Sequence, residues 1–136
     1  MSQETTPGST IPNGAEIFSP IGELDTAVRN FPTSFNEGVV LYLATIKTLR
    51  FSEENSVGYY LYINIFPSSE ASEAQGEQNW DVIDRRIVDF TTEQLKLGRG
   101  SITSQNIETE HPKGFPGRSR LIKERLYMIN VTSMME

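Results

Sequence analysis

Two neighbouring extended runs, with no proline inside either, dominate residues 39–66 and leave little choice of local structure. Val39–Phe51 and Tyr59–Phe66 are built from Val, Ile, Leu, Tyr, Thr and Phe, side chains that suit a pleated, half-buried surface. Ser52–Gly58 between them is turn-forming, so the stretch predicts a β-hairpin with a seven-residue connection. Along the first run neither alternating set is polar before Lys47, which predicts cover on both faces of its first half. The second run divides cleanly. Tyr59, Leu61, Ile63 and Ile65 form an aliphatic face expected in the core, and Tyr60, Tyr62 and Phe66 form an aromatic face interrupted by Asn64. Tyr42 is expected to join that aromatic face across the hairpin.

An aromatic row on a sheet has three uses. It stacks single-stranded bases, at roughly 1–3 kcal/mol per base. It forms the apolar centre of a tyrosine-rich protein interface. Most often it packs beneath a helix with its hydroxyls reaching water.

Two amphipathic helices are expected against the sheet. Ser19–Pro20 has the residue types of a helix start, and Leu24, Val28 and Phe31 recur at helical spacing with Ala27 beside them, up to the stop at Pro32. Trp80, Ile83, Ile87 and Phe90 form a second stripe, capped by Asn79, with Asp81 and Asp84 on the outward face; the competing reading of Trp80–Phe90 is a strand with Val82, Val88 and Phe90 on one side, a face that Asp84 and Arg86 interrupt. Thr91 with Gln94 resembles a capping box, which predicts a separate helical turn over Thr92–Leu97 ended by Gly98. Two more strands are expected, near Ser101–Thr109 and Leu121–Val131, joined by a loop over His111–Arg120; Ser133–Glu136 is expected to fray.

Residues 1–14 are Ser, Thr, Pro and Gly with a single charge, Glu4, and bury too little to offset the entropy of ordering, so they read as a disordered tail. Residues 15–136 make one domain by length. Pro67–Asn79 carries three acids and no base and reads as a solvated loop.

Charge is uneven. Residues 1–80 hold ten acids against three bases and residues 81–136 nine bases against eight acids, within a total of −6. An acidic chain repels nucleic acid at long range, yet Lys113, Arg118, Arg120, Lys123 and Arg125, interleaved with His111 and Phe115, form a local basic segment. Its glycines let backbone amides approach an anion, and arginine offers a planar fork to phosphate or carboxylate. Enzymatic signals are thin: His111 is the one histidine and sits before a proline, Asp81, Asp84 and Asp89 read as the outward face of a helix before they read as an acid/base set, and there is no cysteine, phosphate-binding loop, dinucleotide fingerprint, zinc spacing or nucleophile elbow. No cofactor or metal is expected. Neither a membrane-spanning run nor a signal segment is present in the sequence, which with the missing cysteines leads to the expectation of a soluble cytoplasmic protein.

The sequence thus predicts an α+β fold, a mainly antiparallel and curled sheet of four or five strands with one or two packed helices. The expected function is a non-enzymatic structural or interaction protein that self-associates or binds a protein partner. Its surface would combine Tyr60, Tyr62 and Phe66 with Lys113, Phe115, Arg118, Arg120, Lys123 and Arg125. The division into tail, sheet and basic loop matches, by composition, a small viral or phage structural subunit. The alternative is a binder of single-stranded nucleic acid or an anionic lipid surface; a small-molecule enzyme using loop carboxylates is the remote third.

Overall fold

The structure is a computed structural model that describes residues 14–38, 40–68, 80–112 and 119–135. Its elements in chain order are β1 (Ala15–Ile17), α1 (Gly22–Asn30), β2 (Ser34–Glu37), β3 (Val40–Glu53) and β4 (Ser56–Pro67). They continue with α2 (Trp80–Asp89, prolonged by a wider turn over Phe90–Gln94), β5 (Ile102–Pro112) and β6 (Ser119–Asn130). The fold is α+β, with one open six-stranded antiparallel sheet ordered β1-β3-β4-β6-β5 and β2 also on β3. The tail residues 1–13, the Asn79 cap and most of the acidic loop lie outside the described residues.

The β3–β4 hairpin is longer and tighter than the sequence implies. Glu53 pairs with Ser56, leaving a two-residue turn at Glu54–Asn55 in place of the seven-residue connection. That difference sets the faces. Ending the strands at Phe51 and Tyr59 would put Tyr42 on the side of Tyr60, whereas the observed register pairs Phe51 with Gly58, a slip of one residue that sends Tyr42 to the opposite side. Tyr42 is accordingly a core residue, stacked on Phe35 with ring centroids 5.7 Å apart and tilted against Trp80 at 5.9 Å. Nor are both faces of early β3 covered: Val40, Tyr42 and Ala44 are buried, while Leu41 and Thr45 are exposed.

The described helices α1 and α2 pack on one face of the sheet. The core joins Tyr42, Ala44, Leu61, Ile63, Ile65, Tyr127 and Ile129 of the sheet to Leu24, Ala27 and Phe31 of the first helical segment and Ile83, Ile87, Phe90 and Leu95 of the second. Burying a Leu or Ile fully contributes roughly 1.5–3 kcal/mol, against about 0.3–0.5 for an exposed i,i+4 ion pair. Burial of Leu24, Ala27 and Phe31 therefore holds α1, and the Asp25–Arg29 pair at 3.0 Å on its solvent side is minor.

Pro20 does not begin that helix. The chain stays extended through it, as the residue before a proline prefers, because Phe18 N–H donates to Thr48 O (3.1 Å) and the Thr48 hydroxyl donates to Phe18 O (2.5 Å). The helix starts at Gly22, whose φ of +60° turns the chain off the sheet.

The second helix also departs from expectation at its end. No new helical turn begins at Thr92. The hydroxyls of Thr91 and Thr92 donate back to Ile87 O and Val88 O, each at 2.9 Å, and the helix widens so that Leu95 N–H reaches Phe90 O at 3.2 Å. The extra residue per turn brings Phe90 and Leu95, five apart, onto the same buried side. Lys96, at φ +60°, then reverses the chain.

His111, Pro112, Ser119 and Arg120 belong to strands, so the expected loop over His111–Arg120 shrinks to a tip outside the described residues. β6 pairs with β4 only from Arg125 to Asn130, so Ile107–Pro112 and Ser119–Glu124 pair with each other as a ribbon running past β4. As far as Met135 the C-terminal residues do not fray: Thr132–Met134 form a helical turn, Thr132 Oγ1 accepts from Tyr59 N–H at 3.0 Å, and Met134 and Met135 pack on the core, while Glu136 lies outside the described residues.

Candidate functional site

Because a sheet alternates its side chains, the face opposite the helices is fixed by the registers: odd residues of β3 and even residues of β4 and β6. Leu43, Lys47, Phe51, Tyr60, Tyr62, Phe66, Leu126 and Met128 are half-buried there, and among the described residues no helix covers them. Leu49 also points this way and is nonetheless fully buried, a small second core apart from the main one. It lies opposite Tyr60 and one step along the ladder from Phe51 and Tyr62.

At the end of this face nearest the β3–β4 turn is a trough of about 600 Å³. Phe51, Tyr60, Tyr62 and Met128 give its apolar part, and Ser101, Thr103, Asn130 and Thr132 give hydroxyls and an amide along one wall. Phe51 meets Tyr60 edge-on at 5.6 Å and stacks on Tyr62 at 6.3 Å, so three rings brace one another. Gly58, opposite Phe51, supplies no side chain, and Tyr60 occupies the space. Burial, and then the neighbouring Tyr60, push the Tyr62 phenol above the ordinary tyrosine value, so the Tyr62 hydroxyl is a neutral donor at physiological pH.

Charge on this face is sparse. Among the described residues Glu53 is the one charged side chain lining the trough. Lys47, opposite Tyr62, is pulled below the usual lysine value by burial. Further along, Asn64 Nδ2 donates to Glu124 Oε1 at 3.2 Å, and these two with Thr45 separate the trough from Leu43 and Phe66.

The expected site residues therefore part company. Tyr60 and Tyr62 come together in the trough. Phe66 shares their face but lies two ladder steps beyond Tyr62, past Asn64. Arg125 is not part of this surface: it lies on the helix side, where Nη1 donates to both Asp84 oxygens at 2.8 Å, Nε donates to Asn106 at 2.8 Å, and the guanidinium sits 5.2 Å over Trp80. Tyr127 donates its hydroxyl to the same Asp84, which is thus engaged with the sheet rather than turned outward. Lys123 is exposed and stands opposite Glu108 on β5. Arg120 pairs with His111 in the ribbon ladder, and Lys113, Phe115 and Arg118 lie outside the described residues.

Sequence reasoning missed Phe51, Gly58, Thr103, Met128 and Asn130. The two-residue turn was the available signal, since counting outward from Glu54–Asn55 sets Phe51 against Gly58 and Lys47 against Tyr62. Among the described residues no cluster of three or more His, Cys, Asp or Glu could hold a metal, and no helix is long and apolar enough to cross a membrane. Compared with known protein families, curated proteins and solved structures, the chain matches none.

Proposed function

We propose that this chain is a non-enzymatic structural or interaction protein whose open sheet face docks on protein, either further copies of itself or another chain. One observation carries the reading: a sheet clothed by helices on one side keeps Phe51, Tyr60, Tyr62 and Met128 half-exposed around a trough on the other. Rings and methionine rimmed by hydroxyls are the make-up of an interface core, where aromatics and Met are enriched and charges depleted. Among the described residues the trough lining includes no arginine or lysine, which suits a neutral polypeptide surface better than a phosphate backbone that needs cations. The basic residues 113–120 would add steering toward an acidic partner.

The experiment is sedimentation of the full chain at low and high salt, beside the Tyr60→Ala/Tyr62→Ala variant, with the Met128 methyl resonance followed as concentration rises. Association that survives salt, shifts Met128 and weakens by about a hundredfold in the variant supports the reading. Association that collapses with salt, or that the double variant leaves untouched, overturns it.

A further inference from the structure

The two margins of the sheet are finished differently. On one, β1 covers Leu49–Phe51 of β3 and β2 covers Val40–Leu43. The gap between them is closed by Ala44 N–H donating to Thr33 O (2.9 Å) and by Phe18 N–H donating to Thr48 O (3.1 Å). On the other margin β5 is bonded to β6 on its inner side and, among the described residues, to no strand on its outer side. In an antiparallel ladder every second residue turns its N–H and C=O away from its partner, so β5 presents a row of outward backbone donors and acceptors.

Natural edge strands guard such a row by being short, by bulging, or by carrying proline or inward lysine. β5 does none of this over its central part. It is 11 residues long, its register with β6 is unbroken from Ile102 to Pro112, its one proline is the last residue, and it carries no lysine or arginine. Thr103, Ser104, Gln105 and Asn106 are all exposed.

We infer that β5 is a pairing edge whose occupant is β5 of a second copy, antiparallel about a two-fold axis near Thr103 and Ser104, joining two six-stranded sheets into one. The choice of occupant follows from charge along the strand. Arg99 stands just before β5 and Glu108 in its second half, both exposed, and residues 100–107 between them are uncharged. Antiparallel self-pairing sets the Arg99 end of each copy beside the Glu108 end of the other, twice by symmetry; parallel pairing would set Glu108 against Glu108. The uncharged centre lets two acidic molecules approach. This contact uses the backbone edge of β5, whereas Phe51, Tyr60, Tyr62 and Met128 of the trough lie on β3, β4 and β6.

The test uses the full chain. Sedimentation equilibrium should find a dimer, and hydrogen exchange should find alternate amides of residues 102–108 protected more strongly in concentrated than in dilute protein. Ser104→Lys/Gln105→Lys, at exposed positions, places like charges beside the axis and should weaken the dimer by about a hundredfold with thermal unfolding unchanged. Arg99→Glu and Glu108→Arg should each weaken it by about tenfold, and the two combined should restore it, a rescue that no folding defect produces. Amides of 102–108 that exchange alike at all concentrations overturn the inference. So does a dimer indifferent to the paired lysines, or a charge swap that restores nothing. A dimer broken by Tyr60→Ala/Tyr62→Ala but not by the edge variants overturns the inference and keeps the open-face reading.

Discussion

Tyr60 lies over Gly58: a Cβ built on residue 58 would fall 2.9 Å from Tyr60 Cε1, and the same ring leans edge-on against Phe51. The glycine thus sets the ring's position, and with it one wall of the trough. Gly58→Ala should swing the ring aside, since a side chain yields where backbone would not. We expect stability within about 1 kcal/mol of wild type, because the alanine also lowers unfolded-chain entropy. Open-face association should weaken by about tenfold, as for a displaced interface aromatic. Denaturant titration and sedimentation of the one variant check both halves.

Arg125 and Asp84 form a structural pair. The Arg125 side chain is 18% exposed and Asp84 is 40% exposed, so part of the attraction is screened. Asp84→Ala removes the acceptor of Arg125 and Tyr127 together and should cost about 1–3 kcal/mol, chiefly by leaving a cation poorly solvated. Adding Arg125→Met should recover part of that loss. A double-mutant cycle by urea denaturation measures the coupling, and strict additivity would contradict the pairing.

Tyr127 is held well above the ordinary phenol value, first by burial and next by its bond to Asp84, with Arg125 opposing. Its folded pKa exceeds the unfolded one, so folding favours the protonated form. That contribution is complete below the unfolded value of 10.0 and is lost as pH climbs past it, when the unfolded chain ionises and the folded one does not. Unfolding free energy should therefore decline with alkalinity above about pH 10, and Tyr127→Phe should flatten part of the decline while losing about 1 kcal/mol at neutral pH. Tyr62, shifted the same way, keeps some slope in the variant. Urea titrations across pH read both effects.

Lys96 ends the second helix at φ +60°, a conformation glycine adopts more readily than lysine. The residue is exposed, so its side chain adds little packing. Lys96→Gly should raise stability by up to about 1 kcal/mol, the relief of strain exceeding the entropy glycine adds to the unfolded chain. A lower thermal midpoint would show that the lysine holds the turn by other means.

What could be read in the sequence followed strict periods. The alternation of Leu61, Ile63 and Ile65 with Tyr60 and Tyr62, and the Trp80–Phe90 stripe, each fixed a face without knowledge of neighbours. What could not be read depended on register. A connection one residue different in parity moved Tyr42 into the core and Phe51 onto the open face. Arg125 looked like part of a cationic segment because its neighbours in sequence are basic. Its position on β6 puts it on the Tyr127 side, where Asp84 of the helix reaches it. β1 and β2, of 3 and 4 residues, are too short to show any period, and tertiary pairing with β3 alone defines them.

The covering of β3 by β1 and β2 also bears on how large an assembly can become. On that flank the outermost described strands are β1 and β2, of 3 and 4 residues against 11 for β5, so they offer little ladder to a newcomer and strand addition would favour the β5 flank, where two molecules that meet occupy each other's long edge.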